Sequence, residues 1–382
     1  MYDCEVGARK KSVAAVPMKI LSKWESKDHK AEEVHSMESI QPTNPFKFNL
    51  QNMKKTKQSL MFSPNDDFVE QRTAISKKLR ELISMQTPLA QCTPIVEAVM
   101  TDDPRFDEIR MVFESEPGFF IPAHLVYPKS FKDKLPLVIC LQGHSPGMHV
   151  SLARKPYPSR ETIEVEGDRD FCIQAVARGY AALALEQRGF GELGYEGKSS
   201  DCCHDLVWQS ALMGKTLLGQ RVYDISNAIT AVSSAFDFID ADRIGVMGNS
   251  GGGTSSYYAS CLDERIKVSM PSSSFCSVAD AWGGFHHCDC SYIVGMLKYF
   301  EMADASILIA PRYLIAVNGI YDHIQPFESA KSEFERVKSI FAAAGAADNC
   351  RLVIGAQGHR FYADIAWDVF DDFINRSFRT IK

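Results

Sequence analysis

The 382-residue chain has no apolar run long enough to cross a membrane. Its apolar stretches, such as Leu135 to Leu141 and Tyr180 to Leu185, are far shorter than the roughly 18 residues that a spanning helix needs. The N-terminal region also lacks the apolar core of a secretory signal, since Lys and Glu residues recur through position 33. We therefore expect a cytoplasmic protein without a membrane partner.

The chain also lacks an excess of positive charge and a disulfide pattern. Its formal net charge is -6 and no long block of one sign occurs, which excludes a basic surface for nucleic acid. The eleven cysteines are odd in number, and Cys140, Cys172 and Cys261 lie in apolar segments, as is typical of reduced, buried thiols. We expect a small-molecule partner, and the sequence leaves a homo-oligomer open.

The composition, 45% hydrophobic and 24% charged, indicates one large globular domain with additions. Residues 1–66 are polar and show no sustained periodicity, which predicts a partly irregular N-terminal arm, followed by the main domain over 67–382. Apolar residues at helical spacing predict an amphipathic helix from Asp66 to Met85. Two strand-like runs, 105–116 and 119–127, predict an antiparallel hairpin with its turn at Pro117-Gly118.

From residue 135 onward, short apolar strands alternate with helix-length segments. The strands are predicted at 135–141, 181–185, 243–247, 268–271, 313–317 and 352–355. This alternation predicts an α/β fold with eight strands, the first pair antiparallel and the rest mostly parallel, covered by helices on both faces. An insertion at 279–309, after the sixth strand, is expected to lie over the strand ends as a lid or pocket wall.

The pentapeptide Gly248-Asn249-Ser250-Gly251-Gly252 is the most informative motif, because an apolar run ends at Met247 and a helix-compatible stretch follows. A sharp strand-to-helix turn strains the serine backbone, and only small residues two positions away avoid clashes. The motif predicts a nucleophile elbow that exposes Ser250, although such a pentapeptide also occurs by chance.

A serine hydroxyl needs a base and an orienting carboxylate to become a nucleophile at neutral pH. Asp322 follows one predicted strand and His359 follows the last one, which places both on the same edge of the sheet as Ser250. Read singly, Asp322 could be a turn residue and His359 a helix-entry residue. Together the three residues favour a catalytic triad in the order Ser250, Asp322, His359.

Acyl transfer also needs two hydrogen-bond donors for the developing oxyanion. The backbone amide of Gly251 supplies the first, and the amide of His144, in the loop after the strand at 135–141, is expected to supply the second. The alternative is a Gly-rich turn without function, with the His144 imidazole forming a pocket wall.

Several motifs together resemble the α/β-hydrolase superfamily, in particular its acetyl xylan esterase-like and dienelactone hydrolase-like members. They are Gln187-Arg188-Gly189-Phe190-Gly191-Glu192, Leu218-Gly219-Gln220-Arg221, Gly248 to Gly253, Ile309-Ala310-Pro311-Arg312 and Gly358-His359. The resemblance covers about residues 66–380. It implies a serine esterase that removes a small acyl group, with acetyl expected, from a soluble sugar or another small ester through an acyl-enzyme. The chain departs from the usual pattern at Asp322-His323, where Asp-Pro is common, and at Gln142-Gly143, where His-Gly is common.

The insertion carries further candidates for the pocket: Trp282, Phe285, His286 and His287. Its aromatic residues could stack on a sugar or close the core beneath the insertion. The run from His286 to Cys290, with Cys202-Cys203-His204, contains enough ligand types for zinc or iron, but its spacing matches no standard finger, so pocket lining without a metal or other cofactor is favoured. A serine peptidase and a non-catalytic binding protein of the same fold are the competing functions.

Overall fold

The computed structural model describes residues 44–87, 92–144, 146–195 and 202–379. The first part of the expected N-terminal arm, residues 1–43, therefore lies outside the described residues. From residue 44 onward the arm contains a helix, α1 (Pro45–Lys55), followed by an irregular segment with turns.

Within the described residues, nine strands form one mixed sheet in the order β1-β2-β3-β5-β4-β6-β7-β8-β9. The pairs β1–β2, β2–β3 and β3–β5 are antiparallel. The pairs β5–β4, β4–β6, β6–β7, β7–β8 and β8–β9 are parallel. The strands are β1 (Ile95–Met100), β2 (Phe106–Glu116), β3 (Phe119–Pro128), β4 (Leu135–Leu141), β5 (Ala181–Leu185), β6 (Ile239–Asn249), β7 (Ile266–Ser272), β8 (Tyr313–Gly319) and β9 (Cys350–Gly355).

The predicted α/β class and the β2–β3 hairpin are confirmed, and Gly118 at its turn has the positive φ of +80° that glycine tolerates. The predicted number of eight strands is wrong because β1 was not recognised. This strand lies at the sheet edge, and four of its six residues are exposed, so its apolar residues do not report a buried strand.

Helices cover both faces of the sheet. On one face α3 (Phe171–Ala177) and α9 (Ala363–Arg379) pack on Val138 and Cys140, whereas Leu137 and Ile139 face the opposite helices. This alternation along β4 follows from the two-residue period of a strand, and both faces are apolar because both are covered. The opposite face carries α2 (Phe68–Leu82), α5 (Leu217–Ala235), α6 (Gly251–Leu262) and α8 (Phe327–Ala343).

The insertion at 279–309 lies between β7 and β8 and ends in a short helix, α7 (Met302–Ala305). Its end is fixed by buried carboxylates: Glu301 accepts hydrogen bonds from the Val278 amide at 2.9 Å and from the Met302 amide at 3.0 Å. Asp304 accepts the amide of Phe62 at 2.9 Å, and the Leu60 amide donates to the Tyr299 carbonyl at 2.7 Å. The last residues of the arm therefore pack on the insertion. Among the described helices, none combines the length and the apolar composition required to cross a membrane.

Gly219 allows α5 to approach the end of α2 closely. A Cβ at this position would overlap the carbonyl oxygen of Ile83, which also accepts a hydrogen bond from Thr216 Oγ1 at 2.6 Å. Helix propensity alone favours alanine over glycine by about 1 kcal/mol. Overlap with a backbone carbonyl that cannot rotate away costs about 1–3 kcal/mol and should outweigh that gain.

We therefore expect Gly219→Ala to lower the melting temperature, measured by differential scanning calorimetry. Ser234→Ala, at an exposed position of the same helix, is the matched control and should change stability by less than about 0.5 kcal/mol. A melting temperature that rises in Gly219→Ala would contradict the close approach of the two helices.

Candidate active site

Ser250 occupies a strained turn between β6 and α6. Its φ of 56° and ψ of -121° lie in a region that non-glycine residues rarely adopt. The turn is held by the Ser250 amide, which donates to the Ser272 carbonyl at 2.8 Å. Because α6 begins at the next residue, Ser250 stands at the N-terminal end of a helix, where backbone amides lack intrahelical partners.

The backbone around this turn is packed too closely for side chains. A Cβ on Gly248 would lie 2.5 Å from the carbonyl of Gly252, and a Cβ on Gly252 would lie 2.6 Å from the carbonyl oxygen of Gln142. Gly143 is equally confined, with the Asn249 carbonyl oxygen 2.6 Å from its Cβ position. The glycines predicted from the pentapeptide thus have the steric cause that the sequence suggested.

The loop after β4 brings His144 beside the turn. Its ring atoms Cε1 and Nδ1 lie 3.1 and 3.2 Å from the Cβ position of Gly251, and the ring packs edge-on against Phe190 at 5.0 Å between centroids. His144 and Gly251 therefore line the same space as Ser250.

Asp322 and His359 meet at the same edge of the sheet. His359 Nδ1 donates to Asp322 Oδ2 at 2.8 Å, and Asp322 Oδ1 accepts the amides of Ile324 and Gln325 at 3.0 Å each. Burial alone would raise the pKa of the Asp322 carboxyl, but these hydrogen bonds and the His359 charge hold that pKa below its usual range. The acid is therefore ionised and fixes the orientation of the imidazole.

Both His359 and Ser250 line one cavity of about 1070 Å³ at the carboxyl edge of the parallel strands. Three of the four pocket residues predicted from the insertion, Trp282, His286 and His287, line it as well. The fourth, Phe285, is not among the lining residues and has a 43% exposed side chain.

His287 and Trp282 form one wall of the cavity. Their rings stack at 4.9 Å with an interplanar angle of 20°, and the His287 Nε2–H group donates to the Ile324 carbonyl at 3.2 Å. Burial lowers the pKa of His287, which keeps it neutral. Because Ile324 also donates its amide to Asp322, this wall is joined to the loop that carries the acid. Trp282 is only 6% exposed, so it closes the pocket and does not offer an open stacking face.

The two departures from the usual family pattern have separate structural roles. The buried Gln142 side chain donates to Ser151 Oγ and to the Arg169 carbonyl, each at 2.7 Å, and so holds the segment after β4. His323 packs against His359, with ring centroids 5.6 Å apart. Neither departure separates Asp322 from His359.

The cavity also contains residues that the sequence analysis missed. Asp168 and Arg360 line it and form an ion pair at 2.6 Å, and Arg169 lies beside them. Asp168 and Arg169 come from the segment between β4 and α3, which has neither strand nor helix periodicity. The only signal in the sequence was the concentration of charge from Glu164 to Asp170 immediately before α3.

Three cysteines and one histidine meet at another wall of the cavity. The ligand atoms of His144, Cys203, Cys288 and Cys290 all lie within 4.8 Å of one another. Of the neighbouring residues that the sequence analysis grouped with them, His204 instead pairs with Asp289 at 2.6 Å, and the Cys202 thiol lies against Tyr195.

Several groups in this cluster have pKa values that differ from their usual values. Hydrogen bonds from Cys203 and Cys288, with the nearby charge of Arg221, hold the pKa of Cys290 well below its usual range despite burial. Burial opposes a charged His144, but hydrogen bonds with Cys203 and Cys290 raise its pKa to about 9. Hydrogen bonds with Cys203 and Cys290 instead raise the pKa of Cys288, so the negative charge of the cluster is centred on Cys290.

Comparisons with known proteins agree with this architecture. The model of the acetyl xylan esterase (AXE1) family matches residues 76–305, which is more than half of the chain. YtaP of Bacillus subtilis (strain 168), named as a hydrolase, is 28% identical over 253 residues, covering 62% of this chain and 77% of YtaP.

Solved structures show the same fold. A Bacteroides fragilis protein named as an acetyl xylan esterase superposes with a TM-score of 0.69 at 16% identity, covering 82% of this chain and 83% of that one. A glucuronoyl esterase from Solibacter usitatus gives a TM-score of 0.61 at 15% identity, covering 81% and 92% of the two chains. With the match over residues 76–305, the chain belongs to the acetyl xylan esterase (AXE1) family and is a carboxylic ester hydrolase of the α/β-hydrolase fold.

Proposed function

We propose that this protein is a serine esterase in which Ser250 is the nucleophile, His359 the general base and acid, and Asp322 the orienting carboxylate. The observation that carries the proposal is the 2.8 Å hydrogen bond from His359 to Asp322, in the cavity that Ser250 and His359 line together. Each of the three residues follows the carboxyl end of a different parallel strand, as the sequence predicts.

The reaction proceeds in two halves. His359 Nε2 accepts the Ser250 hydroxyl proton as Oγ attacks the ester carbonyl, and the imidazolium then protonates the leaving alcohol. A water molecule, deprotonated by His359, attacks the acyl-enzyme, and the collapse of the second intermediate returns the proton to Ser250 and releases the carboxylic acid. Asp322 keeps the Nδ1–H tautomer and stabilises the imidazolium, because its lowered pKa leaves it ionised throughout.

The oxyanion that forms in each half of the reaction needs hydrogen-bond donors that are positioned before the reaction begins. We assign them to the backbone amides of Gly251 and His144, which belong to the two segments that meet beside Ser250. The contact of Gly143 with Asn249 holds the His144 loop against the turn, so these donors are positioned by backbone packing.

The chemistry of the cavity wall supports a small acyl group on a polar alcohol. Among the described lining residues, Trp282 and Ile324 are the large apolar ones, whereas charged and amide groups such as Asn249, Arg169 and Gln325 are frequent. Such a wall can hydrogen-bond the hydroxyl groups of a sugar but presents few large apolar side chains to a long acyl chain. We propose an acetylated sugar or a related small ester as the substrate class.

We place the reaction in the cytoplasm. Support comes from Cys140 and Cys172, which are hydrogen-bonded to each other in the apolar core and carry free thiols. Thiols this close persist in a reducing compartment.

Ser250→Ala is expected to lower kcat for a chromogenic acetyl ester by about 10⁴-fold or more, because the proposed acyl-enzyme forms on Ser250 Oγ. Ser260→Ala is the matched control on the same helix, and it should retain wild-type kcat, since its hydroxyl bonds only the Ser256 carbonyl. Steady-state hydrolysis rates measure both variants. Wild-type kcat in Ser250→Ala would end the serine mechanism.

Asp322→Asn is expected to lower kcat by roughly 10³–10⁴-fold while the fold is retained, because the amide favours the wrong tautomer of His359.

The wild type and Asp322→Asn together also test whether folding stabilises the ionised carboxyl of Asp322. A carboxyl whose pKa is lowered by folding stabilises the protein above its unfolded pKa of about 3.9, and this contribution disappears as the pH falls through the folded value.

The difference in melting temperature between wild type and Asp322→Asn should therefore be constant at neutral pH and shrink below about pH 5. Melting curves across that range provide the measurement. A difference that grows as the pH falls would show that the Asp322 carboxyl is not stabilised in its ionised form.

Acyl-chain preference tests the substrate class. For nitrophenyl esters, kcat/KM should be highest for acetyl and should fall by at least about tenfold for octanoyl, because a long chain would desolvate polar groups of the wall without gaining the usual 0.8 kcal/mol or so for each CH₂ group. Acetylated monosaccharides and aminoacyl anilides complete the panel. Preference for octanoyl esters or for the anilides would contradict the proposed substrate and favour a lipase-like or a peptidase activity, respectively.

A further inference from the structure

The cluster of His144, Cys203, Cys288 and Cys290 has the dimensions of a tetrahedral metal site. The Nε2 atom of His144 lies 3.7 Å from Cys203 Sγ and 3.4 Å from Cys290 Sγ. With Zn–S bonds of about 2.3 Å and a Zn–N bond of about 2.0–2.1 Å, a tetrahedral ion requires these distances to be about 3.6 Å. All ligand atoms of the cluster lie within 4.8 Å of one another, so no separation has to shorten by more than about 1 Å to reach the ligand–ligand distances of the same geometry.

Arg221 supplies a second, independent observation. This guanidinium is 1% exposed and donates from Nη1 to Cys290 Sγ and from Nη2 to Cys203 Sγ, each at 3.2 Å. Its other described hydrogen bonds go to a neutral acceptor, the Arg188 carbonyl. Negative charge on these sulfur atoms neutralises the buried cation, and the thiolate is also the form of cysteine that binds a metal.

A bound zinc ion would balance the charges of the cluster and of Arg221. One Zn²⁺ with three thiolates and a neutral imidazole carries a net charge of -1, and Arg221 beside it brings the total to zero. The N–H···S contacts are then those of an outer-shell partner that orients metal-bound thiolates. We propose that His144, Cys203, Cys288 and Cys290 bind one zinc ion, in contrast to the expectation from sequence spacing.

The ligand set argues for a structural ion. Thiolate and imidazole ligands in tetrahedral arrangement suit zinc, and four protein ligands leave no position for a reactive water. Binding exchanges the thiol protons and the Nε2 proton of His144 for bonds to the metal and releases those protons to solvent. The ion would take no chemical part in ester hydrolysis.

The proposed ion joins three separate parts of the cavity wall. His144 comes from the loop after β4, Cys203 begins α4 (Cys203–Leu212), and Cys288 and Cys290 belong to the insertion. These segments are distant in the chain, which explains why no finger-like spacing occurs. Because the His144 ring also packs on Gly251, the ion would hold the loop that carries the His144 amide against the Ser250 turn.

The test begins with the untagged full-length chain, purified under reductant without added metal. Elemental analysis should find about one zinc per chain, and X-ray absorption at the zinc edge should find three sulfur ligands at about 2.3 Å and one nitrogen at about 2.0 Å. Protein that lacks zinc is titrated with zinc chloride against a chromophoric chelator. Affinity weaker than about 1 µM, a shell without sulfur, or a disulfide between two of the three cysteines overturns the proposal.

Two variants locate the site. Cys288→Ser removes a half-buried ligand that has no described contact with Arg221, and it should weaken zinc binding by more than the 10–100-fold or so that an outer-shell partner contributes. Cys202→Ser is the matched control, because this cysteine adjoins Cys203 but directs its thiol to the Tyr195 amide at 3.3 Å. Equal zinc affinity in the two variants, with circular dichroism showing both folded, would contradict the assignment. The X-ray absorption spectrum of the wild type identifies the ligand atoms without the use of any variant.

Discussion

The close packing of backbone at the end of β6 is the constraint on which the site depends. At Gly143, Gly248 and Gly252 the Cβ position is already occupied by neighbouring backbone atoms, so the loop after β4 and the start of α6 meet without intervening side chains. This contact forces Ser250 into its strained conformation, because the chain must reverse from strand to helix within one residue. The surrounding sheet holds this strained turn in place. The turn presents the Ser250 hydroxyl at the edge of the sheet to which the parallel strands also bring other loops.

Hydrogen bonds to charged groups hold the loops that surround the Ser250 turn. Asp322 is held ionised by two amides and the imidazole of His359, and the same loop binds His287 through the Ile324 carbonyl. On the opposite side the buried Arg221 faces the thiols of Cys203 and Cys290. The insertion therefore contacts the acid loop at His287 and the His144 loop through its cysteines. Polar contacts on two sides of residues 287–290 therefore hold this part of the insertion at the cavity.

Much of this arrangement could be predicted from the sequence, since its signals are local. The pentapeptide around Ser250 reports a steric requirement, and apolar strands ahead of Asp322 and His359 indicate which edge these residues reach. The signals that failed are those without local periodicity. The exposed strand β1 is stabilised by pairing with β2, and the segment with Asp168 and Arg169 is positioned by the side chain of Gln142. Three members of the cysteine cluster were considered as metal ligands but not favoured, because their spacing matches no finger, and His144 was not grouped with them because only the folded chain brings these segments together.

The proposed activation of the Ser250 hydroxyl by His359 can be measured by reacting the protein with a small phosphonate ester and locating the covalent adduct by peptide mass spectrometry. We expect one adduct on Ser250 in the wild type and a strongly slowed reaction at Ser250 in a folded His359→Ala variant. An adduct on another residue, or labelling of Ser250 at the same rate without His359, would contradict it.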